Sequence, residues 1–516
     1  MTTNWRWVLA AVTVSALAGL AGVVAGAGPA FSSQAIEDDG LSIDDAKLAE
    51  VREYLEEQRS RFGWPAMTAG LVLGDEVALL ETFGDANVAV DTPFLIASLS
   101  KSITALAVVQ LVDDGLVDLD APVTDYLPEL APGGQTATIR DLMHHRSGLT
   151  TRAGIEPFAG GLGADLETNV GRLGTFLQGG APFEYSNANY DTLALVVERV
   201  AGVDFADYIQ DQVFTALDMT DSYLDPDVAQ QSGLAAGHYH WLFAGFRPDV
   251  PTMPLGLAGS HTMFSSAEDL THLLIAHLNN GNYRGTAVVS EEALQVLHEP
   301  RPIDTDSLYG YAGGLRALPP GSLATTGPLA GSAYMWHDGG SPSYRSHVWM
   351  VPEAGVGFVV LVNANDLTDE SFLPQVSDNV AFMLFGLDPF EVRGLSDFLT
   401  RWSKHILLVV AAGQILLAAL SIPVLRNLRG GRRPEAAGWV ILSAATLLDI
   451  VALVLIVAVI PSVSDAPWAV VLDQPDYRIL VIAMGIGILW GIVRTTLAIR
   501  YTTRADRTAR PTPTTV

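Results

Sequence analysis

Three runs of about twenty apolar residues close this sequence, near Ile406–Leu425, Ala437–Ile460 and Ile479–Ile499, each the length an α-helix needs to cross a bilayer. A chain that carries three of them must place them in lipid, so residues 404–500 are expected as three transmembrane helices. The charges around them set the expected orientation. Arg426, Arg429, Arg432 and Arg433 fall between the first two runs, and Arg500, Arg504, Arg507 and Arg510 follow the third. The connection between the second and third carries Asp465, Asp473 and Asp476. Arginine-rich loops stay cytoplasmic. Residues 501–516 are therefore expected as a cytoplasmic tail of a multi-pass cell-membrane protein, with the domain before the helices extracytoplasmic. Asp449, inside the second run, is costly against lipid and is expected to face the bundle.

The amino-terminal end gives the same orientation. Trp7–Ala30 is uncharged, follows Arg6 and ends in small residues, Ala25-Gly26-Ala27. That is the pattern of a signal peptide over residues 1–30 or, given its length, of an uncleaved anchor. Residues 31–43 read as a polar, acidic linker, and residues 44–390 as a globular domain. Charge separates this front part from the tail. Residues 1–400 carry 17 basic and 51 acidic side chains, and residues 401–516 carry 12 and 6. So acidic a front surface repels nucleic acid and argues against a polyanionic substrate. The chain has no cysteine, which excludes disulfides, thiol catalysis and cysteine zinc sites.

Within the globular part, Asp44–Phe62 has helical spacing. Ala66–Leu73 and Glu76–Thr82 read as a strand pair joined at Gly74-Asp75. Ser98–Asp114 predicts a helix apolar around most of its circumference, hence central and buried. Arg345–Val351 and Gly357–Val362 are two more strands around a Pro352-Glu353-Ala354-Gly355 turn. Strands at both ends with helices between them imply an α+β domain whose sheet joins the two ends of the segment.

Chemistry enters at FLIASLSKSITA, residues 94–105. Ser98 and Lys101 are three apart, so on a helix their side chains meet, and an amine there can take the proton of a serine nucleophile. The chain has 26 arginines and three lysines, Lys47, Lys101 and Lys404. With serine at ~7% of ordinary sequences, three lysines give only about 0.2 chance Ser-x-x-Lys pairs. Arginine cannot release its proton, whereas a desolvated lysine can act as a base. Ser100 and Ser102 lack a matching lysine and read as helix-start residues. Tyr185 and Asn187 alternate onto one side of an extended segment, where a tyrosine near a lysine can act as a phenolate or as a proton relay and an amide can hold a carbonyl. His238-Tyr239-His240 has strand spacing but no carboxylate-rich motif around it, and no metal or organic cofactor is expected.

These stretches resemble the serine β-lactamase and penicillin-binding protein family, in its class C β-lactamase and DD-peptidase-like branch. FLIASLSK carries its Ser-x-x-Lys motif. TIRDLMHHRSGL (138–149), FEYSNANYDTLALVVERVAG (183–202), AGSHTMFSSAEDLTHLL (258–274) and WHDGGSPSYRSHVWMVPEAGVGFVVLVN (336–363) are similar to further segments of that branch, in the same order, over about residues 45–385. The resemblance implies a β-lactamase/transpeptidase-like fold, with an antiparallel sheet flanked by helices and an all-helical region. It also implies Ser98, Lys101 and Tyr185 as catalytic residues, Asn187, His337 and Gly339 in substrate binding, and an oxyanion hole from the N–H groups of Ser98 and Gly340.

The sequence departs from the family in three places. His337 stands where many members carry lysine, Asp338 adds a negative charge beside it, and His144-His145-Arg146 replaces a single His and Thr. These departures lower the expectation of β-lactam hydrolysis and raise that of carboxypeptidase, amidase or esterase activity. The expected function is an extracytoplasmic serine hydrolase that forms a Ser98 acyl-enzyme with a small-molecule or peptide substrate. The alternative is a sensor that is acylated, turns over slowly and signals through its membrane helices.

Overall fold

The two strand pairs foreseen at the ends of the domain meet in a single antiparallel sheet. The computed structural model describes residues 43–508 apart from 131–136, 160–164, 174–176, 243–244, 250–254, 305–306, 321–330, 366–371, 394–397 and 460–474. The expected signal peptide or anchor, nearly all of the linker, Asp465, Asp473 and Arg510 lie outside the described residues. Ten strands are used below: β1 Ala66–Leu73, β2 Glu76–Gly84, β3 Gly237–Trp241, β4 Gly245–Asp249, β5 Arg301–Pro302, β6 Gly310–Tyr311, β7 Arg316–Leu318, β8 Tyr334–Gly340, β9 Arg345–Val351 and β10 Val356–Val362. Eight of them form the sheet in the order β2-β1-β10-β9-β8-β7-β6-β5. β1 lies against β10 from Met67↔Val362 to Leu73↔Val356, which closes the two ends of the domain onto each other.

Every residue of β10 is buried. A strand covered on both faces loses the polar alternation of a half-exposed one, and VGFVVLV has none. One face packs on α1 (Asp45–Phe62) and α5 (Phe372–Leu384) through Val51, Leu55, Trp349, Phe358 and Val376. Asp44 caps α1 by accepting from the Lys47 backbone N–H at 2.9 Å, and Gly63, at φ +68°, ends it. Trp349 is fully buried and donates its indole N–H to Ser377 O at 3.0 Å; burying a side chain of this class is worth about 1.5–3 kcal/mol. The other face packs on α4 (Ala267–Leu278). There Gly70 of β1 has no room for a Cβ, which would overlap the Thr271 methyl. Beyond α4 lies the helical region, built around α2 (Ser100–Asp113) and α3 (Asn187–Ala201).

α2 is central and buried as its composition predicts, but it begins two residues later than expected. Ala97–Leu99 forms a 3₁₀ turn before it, with Ala97 at φ +50°. The left-handed region costs a non-glycine residue on the order of 1 kcal/mol. Ser100 and Ser102 turn back onto this segment, donating to Ala97 O at 2.6 Å and Leu99 O at 2.8 Å. They are helix-start residues.

Three helices long and apolar enough to cross a membrane follow: α6 (Phe398–Arg429), α7 (Ala436–Val454) and α8 (Pro475–Thr508). Asp449 of α7 does face the bundle. It accepts from Arg494 Nη2 at 2.5 Å and from Gln414 Nε2 at 3.0 Å, so each helix supplies one member of a polar cluster. Arg494 lies inside the third apolar run and has no partner near it in sequence. Gly491 and Gly487 of α8 make the room, since a Cβ at either would overlap Asp449 or Gln414. At the other end of the bundle Lys404 Nζ lies 3.0 Å from Asp476 Oδ2 and donates to His240 O of β3 at 2.8 Å. This contact ties the bundle to the globular domain.

Candidate active site

From Leu99 the 3₁₀ turn runs directly into α2, Leu99 and Ser100 both being right-handed helical. The three-residue spacing therefore keeps Ser98 and Lys101 on one side. Lys101 Nζ lies 3.0 Å from Ser98 Oγ and also donates to Ser260 O at 2.8 Å. The Tyr185 hydroxyl donates to the same Ser98 Oγ at 3.0 Å, and its ring centroid is 4.9 Å from Lys101 Nζ. Two proton-bearing groups thus converge on one serine oxygen.

Burial sets their charge states. Lys101 is fully buried, and desolvation pulls it down to about 7 against the opposing pull of Asp191 and Asp338. Desolvation also raises the Tyr185 phenol above its ordinary range, though the Ser98 hydrogen bond opposes it. The resting group is a phenol and not a phenolate, which narrows the two roles foreseen for it.

Tyr185 is positioned by what lies beneath it. His145, at φ +55°, stacks 4.5 Å from the Tyr185 ring. Its Nδ1 accepts from Ser186 N at 3.2 Å and faces Asn189 Nδ2 at 2.9 Å. Desolvation and the nearby Lys101 hold His145 well below the ordinary histidine value, so it is a neutral support. Tyr185 precedes the Ser186 cap and Asn187 is the first residue of α3. The expected extended segment therefore turns helical at Asn187, and the two side chains do not alternate along one strand. The Asn187 side chain forms no hydrogen bond among the described residues.

On the opposite wall, β8 carries His337, Gly339 and Gly340. Gly339 packs on the Ser98 turn so closely that a Cβ would overlap Ile96 O. His337 is buried; its Nδ1 lies 2.8 Å from Asp338 O and its Nε2 3.2 Å from the Tyr311 hydroxyl. Desolvation pushes it down to about 3, so it brings no positive charge where many family members carry lysine. Asp338 is not the uncompensated negative charge that the sequence suggested. Arg316 Nη1 lies 3.3 Å from Asp338 Oδ1 and Arg345 Nη2 3.5 Å from Oδ2. Burial works against its charge, but the two guanidinium groups keep the carboxyl well below its usual range.

Three contributors escaped sequence reasoning: the Ser260 carbonyl, Tyr311 and Arg316. Ser260 lies in a segment singled out by its resemblance, but it acts through a backbone oxygen that has no side-chain signature. Tyr311 and Arg316 stand on two- and three-residue strands too short to show a pattern.

The sequence matches the β-lactamase family over residues 51–380. It is 25% identical over 362 residues to the unguisins hydrolase ungD' of Aspergillus campestris (strain IBT 28561), across 64% of this chain and 63% of that protein. The chain spans between about half and two thirds of the length of the curated relatives it matches. Its fold is similar to that of the octameric penicillin-binding protein homologue from Pyrococcus abyssi (TM-score 0.56, 21% identity, 70% of this chain and 81% of that one). It is also similar to a class C β-lactamase from Rhodobacter sphaeroides (TM-score 0.51, 23% identity, 65% of this chain and 98% of that one). At these identities the two structures speak for the fold alone.

Proposed function

The chain belongs to the β-lactamase family, and from that premise we propose that it is a membrane-anchored, extracytoplasmic serine hydrolase working through a Ser98 acyl-enzyme. The observation that carries this reading is the convergence of Lys101 Nζ and the Tyr185 hydroxyl on Ser98 Oγ, each at 3.0 Å.

Neutral Lys101 keeps an N–H on Ser260 O and turns its lone pair to the Ser98 hydroxyl. Lys101 takes that proton as Ser98 Oγ attacks the carbonyl of an amide or ester. The backbone N–H groups of Ser98 and Gly340 receive the developing oxyanion. The proton then passes from Lys101 through the Tyr185 hydroxyl to the departing amine or alcohol, which keeps charge low in a desolvated site. Water attacks the acyl-serine by the reverse proton path and releases the acid.

Candidate substrates are D-amino peptides, β-lactams and small esters. A neutral His337 favours peptides and esters over substrates that depend on a lysine for their carboxylate. Fold alone does not choose among them; a turnover panel of nitrocefin, a D-Ala-D-Ala peptide and a p-nitrophenyl ester does. A fluorophosphonate is expected to label the wild type and not Ser98→Ala, and undiminished labelling of the variant overturns the reading. One observation favours the sensor alternative, the Lys404 contact that links the bundle to β3. A single acylation per molecule with no release would select it.

A further inference from the structure

The mechanism uses Lys101 but leaves one buried carboxyl beside it unexplained. Asp191 sits on α3, one turn beyond Asn187, and is 2% exposed. Its Oδ1 has no hydrogen-bond partner. Ser260, whose hydroxyl and backbone N–H point toward Leu257 O, is the neighbour whose polar groups oppose the effect of burial on that carboxyl. The carbonyl of that same residue accepts from Lys101 Nζ at 2.8 Å, so Ser260 is shared between the lysine and the surroundings of the carboxyl.

The packing that brings them together leaves little slack. Gly259 has no room for a Cβ, which would overlap Tyr190 O, with Ala194 Cβ at 2.6 Å. Thr104 of α2 donates to Gly259 O at 2.7 Å. The loop before His261 is thus pinned between α2, which carries Lys101, and α3, which carries Asp191.

The other groups facing Lys101 do not balance its charge. α3 and the segment before it present the phenols Tyr190 and Tyr185. His145, His261 and, on β8, His337 are held neutral by burial. Asp338 of β8 is engaged by Arg316 of β7 and Arg345 of β9. Among the described residues, Asp191 is the carboxyl acting on Lys101 that no arginine has claimed.

We propose that Asp191 is a positioning residue for the reaction: buried behind Ser260, it provides the counter-charge that stabilises the Lys101 ammonium formed when Ser98 gives up its proton. This role rests on the hydrolase reading of Ser98 and Lys101. In the reacting form Lys101 is an amine and Asp191 a carboxylate; the proton taken from Ser98 makes them ammonium with carboxylate, neutral as a pair, and passing it on restores the amine and the carboxylate. Burial pushes each toward its uncharged form, and each opposes that push in the other. When Lys101 passes its proton on, the pair returns to its starting charge and no other reactant is consumed.

The scarcity of lysine makes the test direct. Protein labelled with ¹⁵N at the lysine side-chain nitrogen contains three such sites, and loss of one signal in Lys101→Arg assigns Lys101. Titration of the full-length chain in detergent then reads its charge state without requiring activity. An opposite charge nearby raises the midpoint of an amine, so Asp191→Asn, which keeps the shape of the side chain, is expected to lower that of Lys101 by about one pH unit. The acid limb of Ser98 labelling is expected to move to lower pH with it, because the base deprotonates earlier. Should Asp191→Asn fail to fold, Ser260→Ala keeps the carbonyl and removes the hydroxyl that stabilises the carboxylate. A smaller shift in the same direction is expected there. An unmoved Lys101 titration in a folded variant overturns the proposal. Absence of Ser98 labelling in a wild type whose Lys101 does respond to Asp191 would overturn the hydrolase reading and leave the charge coupling standing.

Discussion

Lys101 and Lys404 are the two buried lysines among the three in this arginine-rich chain, and their neighbours separate chemistry from structure. Lys404 forms an ion pair with Asp476 at 3.0 Å and donates to a backbone carbonyl at 2.8 Å. Lys101 meets a serine hydroxyl, a carbonyl and two aromatic faces. Among the described residues no carboxylate lies within ion-pair distance of it. A lysine locked to a carboxylate keeps its proton; one held by neutral dipoles away from water is ready to lose it. Rarity in the sequence marked both residues equally. Their surroundings give one a reaction and the other a docking contact.

The sharpest way to break this contrast is to replace each lysine by arginine. Lys101→Arg keeps a cation but removes the base, and is expected to slow fluorophosphonate labelling of Ser98 by about 10²–10⁴-fold. Lys404→Arg keeps a cation beside Asp476 and is expected to leave the rate within about twofold, because Lys404 contacts Asp476 and His240 and none of the groups around Ser98. A comparable loss in both variants would end the distinction.

Arg494 extends the comparison into the bundle, where a cation that cannot release its proton is paired directly with Asp449. Arg494→Gln strands that carboxyl and is expected to cost about 3–5 kcal/mol of bundle stability. Thermal unfolding in detergent measures it, while labelling of Ser98 per folded molecule stays unchanged.

The pH profile tests the Lys101 environment alone. Its folded value is lowered from 10.5 to about 7, so the neutral base is present above pH 7 and is lost below it. Labelling rates are expected to fall about tenfold per unit on the acid side, with a midpoint near 7 in the wild type and in Lys404→Arg. A midpoint near 10 would mean that Lys101 keeps its proton. The smallest effect belongs to Ser100→Ala. It removes the bonds to Ala97 O and from Met263 N and is expected to lower stability by about 1 kcal/mol with little change in rate, which checks that Ser100 is not the serine that reacts.

The sequence alone determined what local spacing and length control. Three apolar runs required three long helices, because only an internally bonded backbone suits lipid. Ser98 and Lys101 were tied by three residues of helical geometry, and the turns at Gly74-Asp75 and Pro352–Gly355 marked the strand pairs that hold β1 and β10. The tertiary structure decided everything that depends on residues far apart in the chain. Asp338 looked like an isolated negative charge until β7 and β9 brought Arg316 and Arg345 to it. Asp449 looked like a lone acid until α8 supplied Arg494. The neutrality of His337 and the lowered proton affinity of Lys101 follow from desolvation, a property of the assembled core that no short stretch of sequence contains.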